Sequence, residues 1–118
     1  MSDIKIWHNP RCSKSREAVS IADETNTEVE IFKYLDENPS VTTLKSVLQM
    51  LGFQTAREWM RTKEDIYKEL NLKDETDENK LLEAMAANPK LIERPVIIKG
   101  NKAIIGRPTS IIAEFMAD

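Results

Sequence analysis

Short apolar segments and one helical stripe alternate along the first part of the chain. Ile4 and Ile6 are separated by a lysine, which is the two-residue period of a half-buried strand. From Ala18 onward, apolar residues recur three and four positions apart and predict a helix over residues 14–25. Residues 29–35 are again mainly apolar and predict a second strand. Because a helical crossover joins the two strands, we expect them to run parallel, so the chain opens with a βαβ unit.

The middle of the chain is predicted to be helical. Ser40 can cap a helix that ends at Gly52, because serine is a good N-cap residue and glycine tolerates the left-handed C-cap conformation. Apolar spacing predicts three further helices: one over residues 55–61 that carries Trp59, one that buries Ile66 and Leu70, and one that begins at Thr76 or Asp77 and ends before Pro89. Together these helices form an insertion at about residues 40–90.

The last part of the chain predicts a hairpin and a helix. The apolar segments 96–98 and 103–105 flank a turn that contains Gly100 and Asn101. An amphipathic helix is predicted after Pro108, and its apolar face consists of Ile111, Ile112, Phe115 and Met116. The order βαβ, helical insertion, ββα is the thioredoxin-like arrangement, an α/β fold with a four-stranded mixed sheet.

The size and composition of the chain narrow its functional class. A length of 118 residues suits one domain, here residues 1–118, with one core. The net charge of −3 and the pI near 5.3 argue against a general nucleic-acid-binding surface and against an anchor for an anionic membrane. Only three glycines are present, and neither a Walker loop nor a dinucleotide-binding motif occurs, so we expect no tightly bound cofactor.

The chain contains one cysteine, Cys12, and one histidine, His8. One cysteine cannot form an internal disulfide, which agrees with a reducing compartment. Charged residues interrupt the N-terminus, so no signal-peptide pattern is visible and the expected location is the cytoplasm. Cys12 and His8 alone are too few ligands for a tetrahedral metal site, so no metal is expected.

The sequence HNPRCSKSR places Cys12 between the first predicted strand and the first predicted helix. Positive neighbours favour the ionised thiol, and a helix that begins just after Cys12 points its free N–H groups toward the sulfur. A lone cysteine is more often a small buried apolar residue. The polar, cationic segment around Cys12 reverses that expectation, so the sequence predicts a nucleophilic thiolate.

Three arginines are candidates for binding an oxyanion: Arg61, Arg94 and Arg107. Each alone would most often be a surface ion-pair partner. Arg94 precedes Pro95 and Arg107 precedes Pro108, however, and a rigid backbone aims a guanidinium reproducibly. Planar forks of donors suit a tetrahedral oxyanion. Pro95 also occupies the position at which thioredoxin-like folds place a cis-proline facing the thiol.

Four motifs, in this order, resemble the glutaredoxin-linked, ArsC-type arsenate reductases. They are HNPRCSKS at residues 8–15, WMR ending at Arg61, ERP at 93–95 and GRP at 106–108. The resemblance covers nearly the whole chain. It implies that Cys12 attacks arsenate to form a covalent intermediate and that the three arginines bind the oxyanion. It further implies glutathione as co-substrate, glutaredoxin as the partner that resolves the glutathione adduct, and arsenite as the product.

Two further residues of the cysteine segment are candidate supporting residues. A single thiol requires an external reductant, because no second cysteine can form a resolving disulfide. Ser15 holds the place of the second cysteine of a C-x-x-C motif, and its hydroxyl can either donate to the thiolate or serve only the start of the helix. His8 can favour ionisation of Cys12 through its charge or be an ordinary hydrogen-bonded loop histidine.

The residues leave other functions to be weighed against arsenate reduction. A general monothiol oxidoreductase acting on glutathione mixed disulfides would use the arginines to hold glutathione carboxylates, and it would not turn over arsenate. A non-enzymatic Spx-type regulator that binds RNA polymerase shares the fold, but such proteins commonly carry a C-x-x-C switch, which Ser15 disallows. A low-molecular-weight tyrosine-phosphatase loop requires C-x5-R, and position 18 is alanine.

Overall fold

The computed structural model describes residues 3–117, which divide into two compact units. One unit, the sheet unit, takes the chain up to Tyr34 and from Arg94 onward. The other, the helical unit, is the continuous segment Leu35–Glu93, and it corresponds to the insertion predicted at about residues 40–90. That the whole chain forms a single domain stays a prediction.

The sheet unit contains four strands in the order β2-β1-β3-β4. The strands are β1 (Ile4–Trp7), β2 (Glu30–Phe32), β3 (Val96–Lys99) and β4 (Lys102–Ile105). β1 pairs in parallel with β2 and antiparallel with β3, and β3 pairs antiparallel with β4. The four-stranded mixed sheet and the βαβ opening are therefore confirmed.

Two helices cover the sheet unit's apolar core. They are α1 (Ser13–Glu24) and α6 (Ile112–Ala117), and they contact each other. The core consists of buried residues from the strands and from both helices: Ile4, Ile6, Ala18, Ala22, Ile97, Ile112 and Met116. Each large aliphatic side chain buried here contributes about 1.5–3 kcal/mol to folding, so this cluster fixes the start of α1 relative to the end of β1.

The helical unit contains α3 (Val41–Leu51), α4 (Asp65–Glu69) and α5 (Glu78–Ala87), linked by short 3-10 turns. Ser40 accepts a hydrogen bond from the Thr43 backbone N–H at 3.1 Å, and Gly52 ends α3 in the left-handed conformation at φ 76°. Both predicted caps are thus confirmed. α3 packs against α5 through buried leucines on both helices. No helix within residues 3–117 is long and apolar enough to cross a membrane.

Four local predictions were wrong in detail. The helix predicted over residues 55–61 is only a 3-10 turn at Ala56–Glu58. The second strand ends at Phe32, and α2 (Tyr34–Glu37) begins where the strand was expected to continue, because Tyr34 is buried with its ring 6.2 Å from that of Trp7. Leu70 is 46% exposed, since α4 ends at Glu69 and buries Tyr67 instead. Ile111 is also exposed, because it lies in a 3-10 turn before α6.

Candidate active site

The loop between β1 and α1 is held by backbone hydrogen bonds that place Cys12 at the N-cap of α1. The backbone N–H of His8 donates to the carbonyl of Phe32 at 2.8 Å, which extends the strand pairing into the loop. Asn9 then forms a tight turn: its carbonyl accepts from the Cys12 N–H and its side-chain Oδ1 accepts from the Arg11 N–H, both at 3.0 Å. The Asn9 turn therefore places the Cys12 thiol at the N-terminal end of α1.

The Cys12 side chain combines burial with several hydrogen-bond donors. The residue is 6% exposed, and burial raises the pKa of its thiol. The backbone N–H groups of Ser15 and Lys14, together with the guanidinium and the charge of Arg94, act in the opposite direction and lower the pKa below its ordinary value. Donors directed at the sulfur therefore outweigh burial, and the site favours the thiolate.

Arg94 and Arg107 are both brought to Cys12 from the far end of the sequence. The side chain of Arg94 lowers the pKa of the Cys12 thiol through a hydrogen bond and through its charge. Arg107 donates from Nη2 to Sγ at 3.6 Å and from Nε to the Arg94 carbonyl at 2.8 Å. The carbonyl contact ties the two arginine segments to each other beside the thiol.

The Arg94-Pro95 peptide bond, whose isomer the sequence left open, is cis. The Arg107-Pro108 bond is cis as well, which the sequence did not indicate. The Pro95 carbonyl accepts a hydrogen bond from the Gly106 N–H at 2.8 Å. Both Arg-Pro steps therefore flank the β3–β4 hairpin and join at its open end.

Arg61 lies in the helical unit, and its surroundings there are acidic. Its Nη1 is 2.6 Å from Glu64 Oε1, its Nε is 3.9 Å from Glu93 Oε1, and its backbone N–H donates to the Leu91 carbonyl at 2.7 Å. The ion pairs hold the guanidinium in a defined orientation, and a cavity of about 450 Å³ lies beside it. Its predicted role in binding an oxyanion with the other two arginines stays a prediction.

Ser15 and His8 interact with each other. Ser15 is fully buried, and its Oγ lies 2.8 Å from His8 Nδ1 and accepts from the Asn9 N–H at 2.9 Å. Ser15 lowers the pKa of the Cys12 thiol through its backbone N–H and not through its hydroxyl. Burial and the charges of Lys33 and Arg16 lower the pKa of His8, and a hydrogen bond to the Ser15 backbone acts in the opposite direction. A largely neutral His8 therefore fits the hydrogen-bonded loop histidine better than a cationic activator.

Sequence reasoning did not single out Asn9, although it makes three hydrogen bonds that shape the loop. An asparagine that precedes a proline is a common turn signal, because its side chain mimics a backbone acceptor. That signal was present in the sequence and could have identified Asn9 as the turn residue.

The arrangement can carry out nucleophilic attack on the central atom of an anion. A thiolate supplies the electron pair, and Arg94 and Arg107 supply positive charge where the anion's oxygens would lie. Within residues 3–117, no group of three or more histidine, cysteine, aspartate or glutamate side chains is placed to hold a metal ion. The prediction of no tightly bound cofactor stays a prediction.

Comparison with known proteins finds similarity over nearly the whole chain. The arsenate reductase of Neisseria meningitidis serogroup A is 48% identical over 109 residues, covering 92% of this chain and 93% of that protein. The uncharacterized protein YfgD of Escherichia coli K-12 is 48% identical over 114 residues, covering 96% of each. The solved structure of an arsenate reductase from Vibrio cholerae has a TM-score of 0.90 at 44% identity, covering 94% of this chain and 95% of that one.

The fold is thus thioredoxin-like, as the order of elements predicted. The family model of the ArsC family matches residues 7–115, which include the cysteine loop and both Arg-Pro steps. This chain belongs to the ArsC family.

Proposed function

We propose that this protein reduces arsenate to arsenite, with the Cys12 thiolate as nucleophile and with glutathione and glutaredoxin as the source of electrons. The observation that carries the proposal is the contact of Arg94 and Arg107 with a buried thiol whose pKa is lowered. A thiolate beside guanidinium groups can attack an oxyanion that the same groups hold and partly neutralise. The names of the relatives, which include arsenate reductases, support the choice of arsenate.

The first proposed step joins Cys12 to arsenic. The thiolate attacks As(V), a sulfur–arsenic bond forms, and one oxygen leaves as water after protonation. Arg94 and Arg107 orient the arsenate oxygens and stabilise the negative charge that builds up on them. In the proposal Arg61 supplies a third guanidinium, as the family resemblance implies.

The reduction itself requires external thiols, because Cys12 is the only cysteine of the chain. In the proposal glutathione displaces a second arsenic-bound oxygen, and the glutaredoxin thiol then attacks the glutathione sulfur. The electron pair of the bond between the glutathione sulfur and arsenic stays with arsenic, so As(V) becomes As(III) and a glutathione–glutaredoxin disulfide is formed. Water then replaces Cys12 on As(III), which releases arsenite and restores the Cys12 thiolate. We place the reaction in the cytoplasm, where the glutathione pool keeps single thiols reduced.

The test is arsenate-dependent oxidation of NADPH, coupled through glutathione, glutaredoxin and glutathione reductase. We expect Cys12→Ser to abolish turnover and Arg107→Ala to reduce it strongly, with the far-UV circular dichroism of both variants unchanged. Lys102→Gln is the matched control, because it removes an exposed cation at the opposite end of the sheet from the cysteine loop. A wild-type rate no higher than that of Cys12→Ser would overturn arsenate as the substrate. Glutathione disulfide exchange without arsenate turnover would favour the general monothiol oxidoreductase.

A further inference from the structure

The cationic side chains around the thiol differ in what they contact. Arg16 donates from Nη1 to the Pro10 carbonyl at 2.9 Å, which joins the first turns of α1 to the loop. Lys14 forms an ion pair with Glu17 at 3.8 Å. Arg107 contacts the sulfur and the Arg94 carbonyl. Each of these three cations therefore has a partner within the protein.

Arg11 differs from these cations in the partners of its guanidinium. Its side chain is exposed, and within residues 3–117 its guanidinium takes part in no hydrogen bond or ion pair. The groups that lower the pKa of Cys12 do not include Arg11. Its backbone is nevertheless fixed, because the Arg11 N–H donates to Asn9 Oδ1 at 3.0 Å. The Arg11 backbone is thus fixed one residue before Cys12, and its charged guanidinium is exposed to solvent.

We propose that Arg11 selects an anionic thiol as the second substrate, an inference that rests on the proposed function because that function requires an external thiol. The chemistry that Arg11 would recognise is a carboxylate carried by the attacking thiol. Glutathione has this chemistry, since it bears more carboxylates than ammonium groups and is negatively charged at neutral pH. An arginine at this position would raise the local concentration of such a thiol and orient its carboxylate through paired N–H donors.

The experiment measures this selection on Cys12 without arsenate. The full-length protein is prepared with Cys12 as a mixed disulfide with 2-mercaptoethanol. An added thiolate attacks the outer sulfur, the adduct disulfide breaks, a new disulfide forms between the two small thiols, and Cys12 leaves as thiolate. Loss of the adduct is followed by intact-protein mass spectrometry after acid quenching. The added thiols are glutathione, which is anionic, 2-mercaptoethanol in isotopically labelled form, which is neutral, and cysteamine, which is cationic.

We expect Arg11→Gln to slow the reaction with glutathione about two- to five-fold, the effect of one exposed ion pair. The same variant should leave the rate with 2-mercaptoethanol unchanged and should raise the rate with cysteamine. Arg11→Glu should enlarge both charged effects. High salt should bring wild type and variants together, because the interaction is exposed and screened. The matched control Lys102→Gln should leave the ratio of glutathione to 2-mercaptoethanol rates at the wild-type value.

Two results would overturn the inference. One is an Arg11→Gln variant whose reaction with glutathione is as fast as that of wild type. The other is an equal slowing for all three thiols, which would make Arg11 a residue that only shapes the loop. This measurement contains no arsenate. The thiol selectivity of Arg11 can therefore be judged even if the coupled assay shows no arsenate turnover. Conversely, Arg11→Gln can be tested in the coupled assay: arsenate turnover with an unchanged KM for glutathione would contradict thiol selection by Arg11 and leave the proposed arsenate reduction standing.

Discussion

At the scale of single residues, the ionisation of Cys12 depends on a balance between burial and directed hydrogen bonds. Burial opposes the thiolate, while N–H groups of Ser15 and Lys14 and the side chain of Arg94 favour it. The two backbone donors would persist with any side chain at those positions, because they belong to the first turn of α1. Arg94 is therefore the side chain through which the thiol pKa can be changed.

Replacing Arg94 with alanine should raise the pKa of Cys12, because burial then acts against fewer donors. A charge-assisted hydrogen bond contributes about 1.5–3 kcal/mol, so its loss should shift the equilibrium between thiolate and thiol about ten-fold or more toward the thiol. The measurement is the rate of alkylation by iodoacetamide as a function of pH. Wild type should reach half of its maximal rate below the pH of an ordinary thiol, and Arg94→Ala should reach it at a higher pH than wild type.

Stability should follow the same ionisation. Since the fold lowers the pKa of Cys12, its thiolate stabilises the fold fully above the pKa of the unfolded thiol. This stabilisation is lost as the pH falls through the lower pKa of the folded state. The free energy of unfolding of wild type relative to Cys12→Ser should therefore increase with pH. Lys102→Gln is the control for both measurements, and an Arg94→Ala alkylation profile that coincides with that of wild type would contradict the assignment.

Residue types and motifs identified Cys12, Arg94 and Arg107, and the structure brings these three together. The sequence did not determine what the Ser15 hydroxyl contacts, because a buried serine can turn its oxygen toward any neighbouring acceptor or donor. In the folded loop it pairs with His8 and Asn9, and the donor to the thiol is the backbone of Ser15. That outcome depends on the side-chain rotamer, which a linear pattern does not specify.

At the scale of elements, strong local signals were sufficient where one stretch of sequence decides the structure. Ser40 and Gly52 bound α3 because capping is a local interaction. The β3–β4 hairpin formed where Gly100 adopts a positive φ between two apolar strands. The end of β2 and the buried face of α4 were not predictable in this way. Both depend on where Tyr34 and Tyr67 find partners in the folded structure.

Gly106 is the point at which the hairpin is joined to the active site. Its N–H donates to the Pro95 carbonyl, and it immediately precedes Arg107. A Cβ at this position would lie 2.8 Å from Ile112 Cδ1, 2.9 Å from Ile97 Cδ1 and 2.9 Å from Pro95 Cγ. The two isoleucines are fully buried, and the proline ring is rigid, so none of them can move away freely.

We therefore expect Gly106→Ala to lower the free energy of unfolding by about 1–3 kcal/mol, the usual cost of overpacking. It should also change the alkylation rate of Cys12, because the displaced backbone carries Pro95 and Arg107. Urea denaturation and iodoacetamide alkylation measure the two effects. Gly100→Ala is the matched control at the other end of the hairpin: nothing lies within 4 Å of its Cβ, but its φ of +60° strains an alanine. It should lower stability without changing alkylation, and Gly106→Ala with wild-type values of both quantities would refute the argument.

At the scale of the whole molecule, the chain leaves the sheet unit after Tyr34 and returns to it at Arg94. The order of predicted elements already indicated an insertion between the βαβ and ββα halves. Each unit contains about half of the chain, and a domain of about 60 residues buries only about 60% of its unfolded surface and is marginally stable. Neither unit alone is expected to hold its structure, so the single-domain prediction implies that they unfold together.

The two tryptophans of the chain provide a direct test of this expectation. Trp7 is buried in the sheet unit, with its ring 5.1 Å from that of Phe32, and Trp59 is buried in the helical unit, where its Nε1 donates to the Glu93 carbonyl at 3.3 Å. Trp7→Phe leaves a tryptophan only in the helical unit, and Trp59→Phe leaves one only in the sheet unit, so selectively excited tryptophan fluorescence reports on one unit at a time. In each variant, urea unfolding followed by fluorescence should have the same midpoint as unfolding followed by far-UV circular dichroism.

Comparing two probes within one variant removes the effect of the substitution on stability, because both probes then report on the same protein. Coincident midpoints in both variants mean that residues from both units enter one cooperative transition. A fluorescence midpoint that precedes the circular dichroism midpoint in one variant and follows it in the other would show that the units unfold independently. In that case the insertion would be a second domain, and the prediction of a single domain would be wrong.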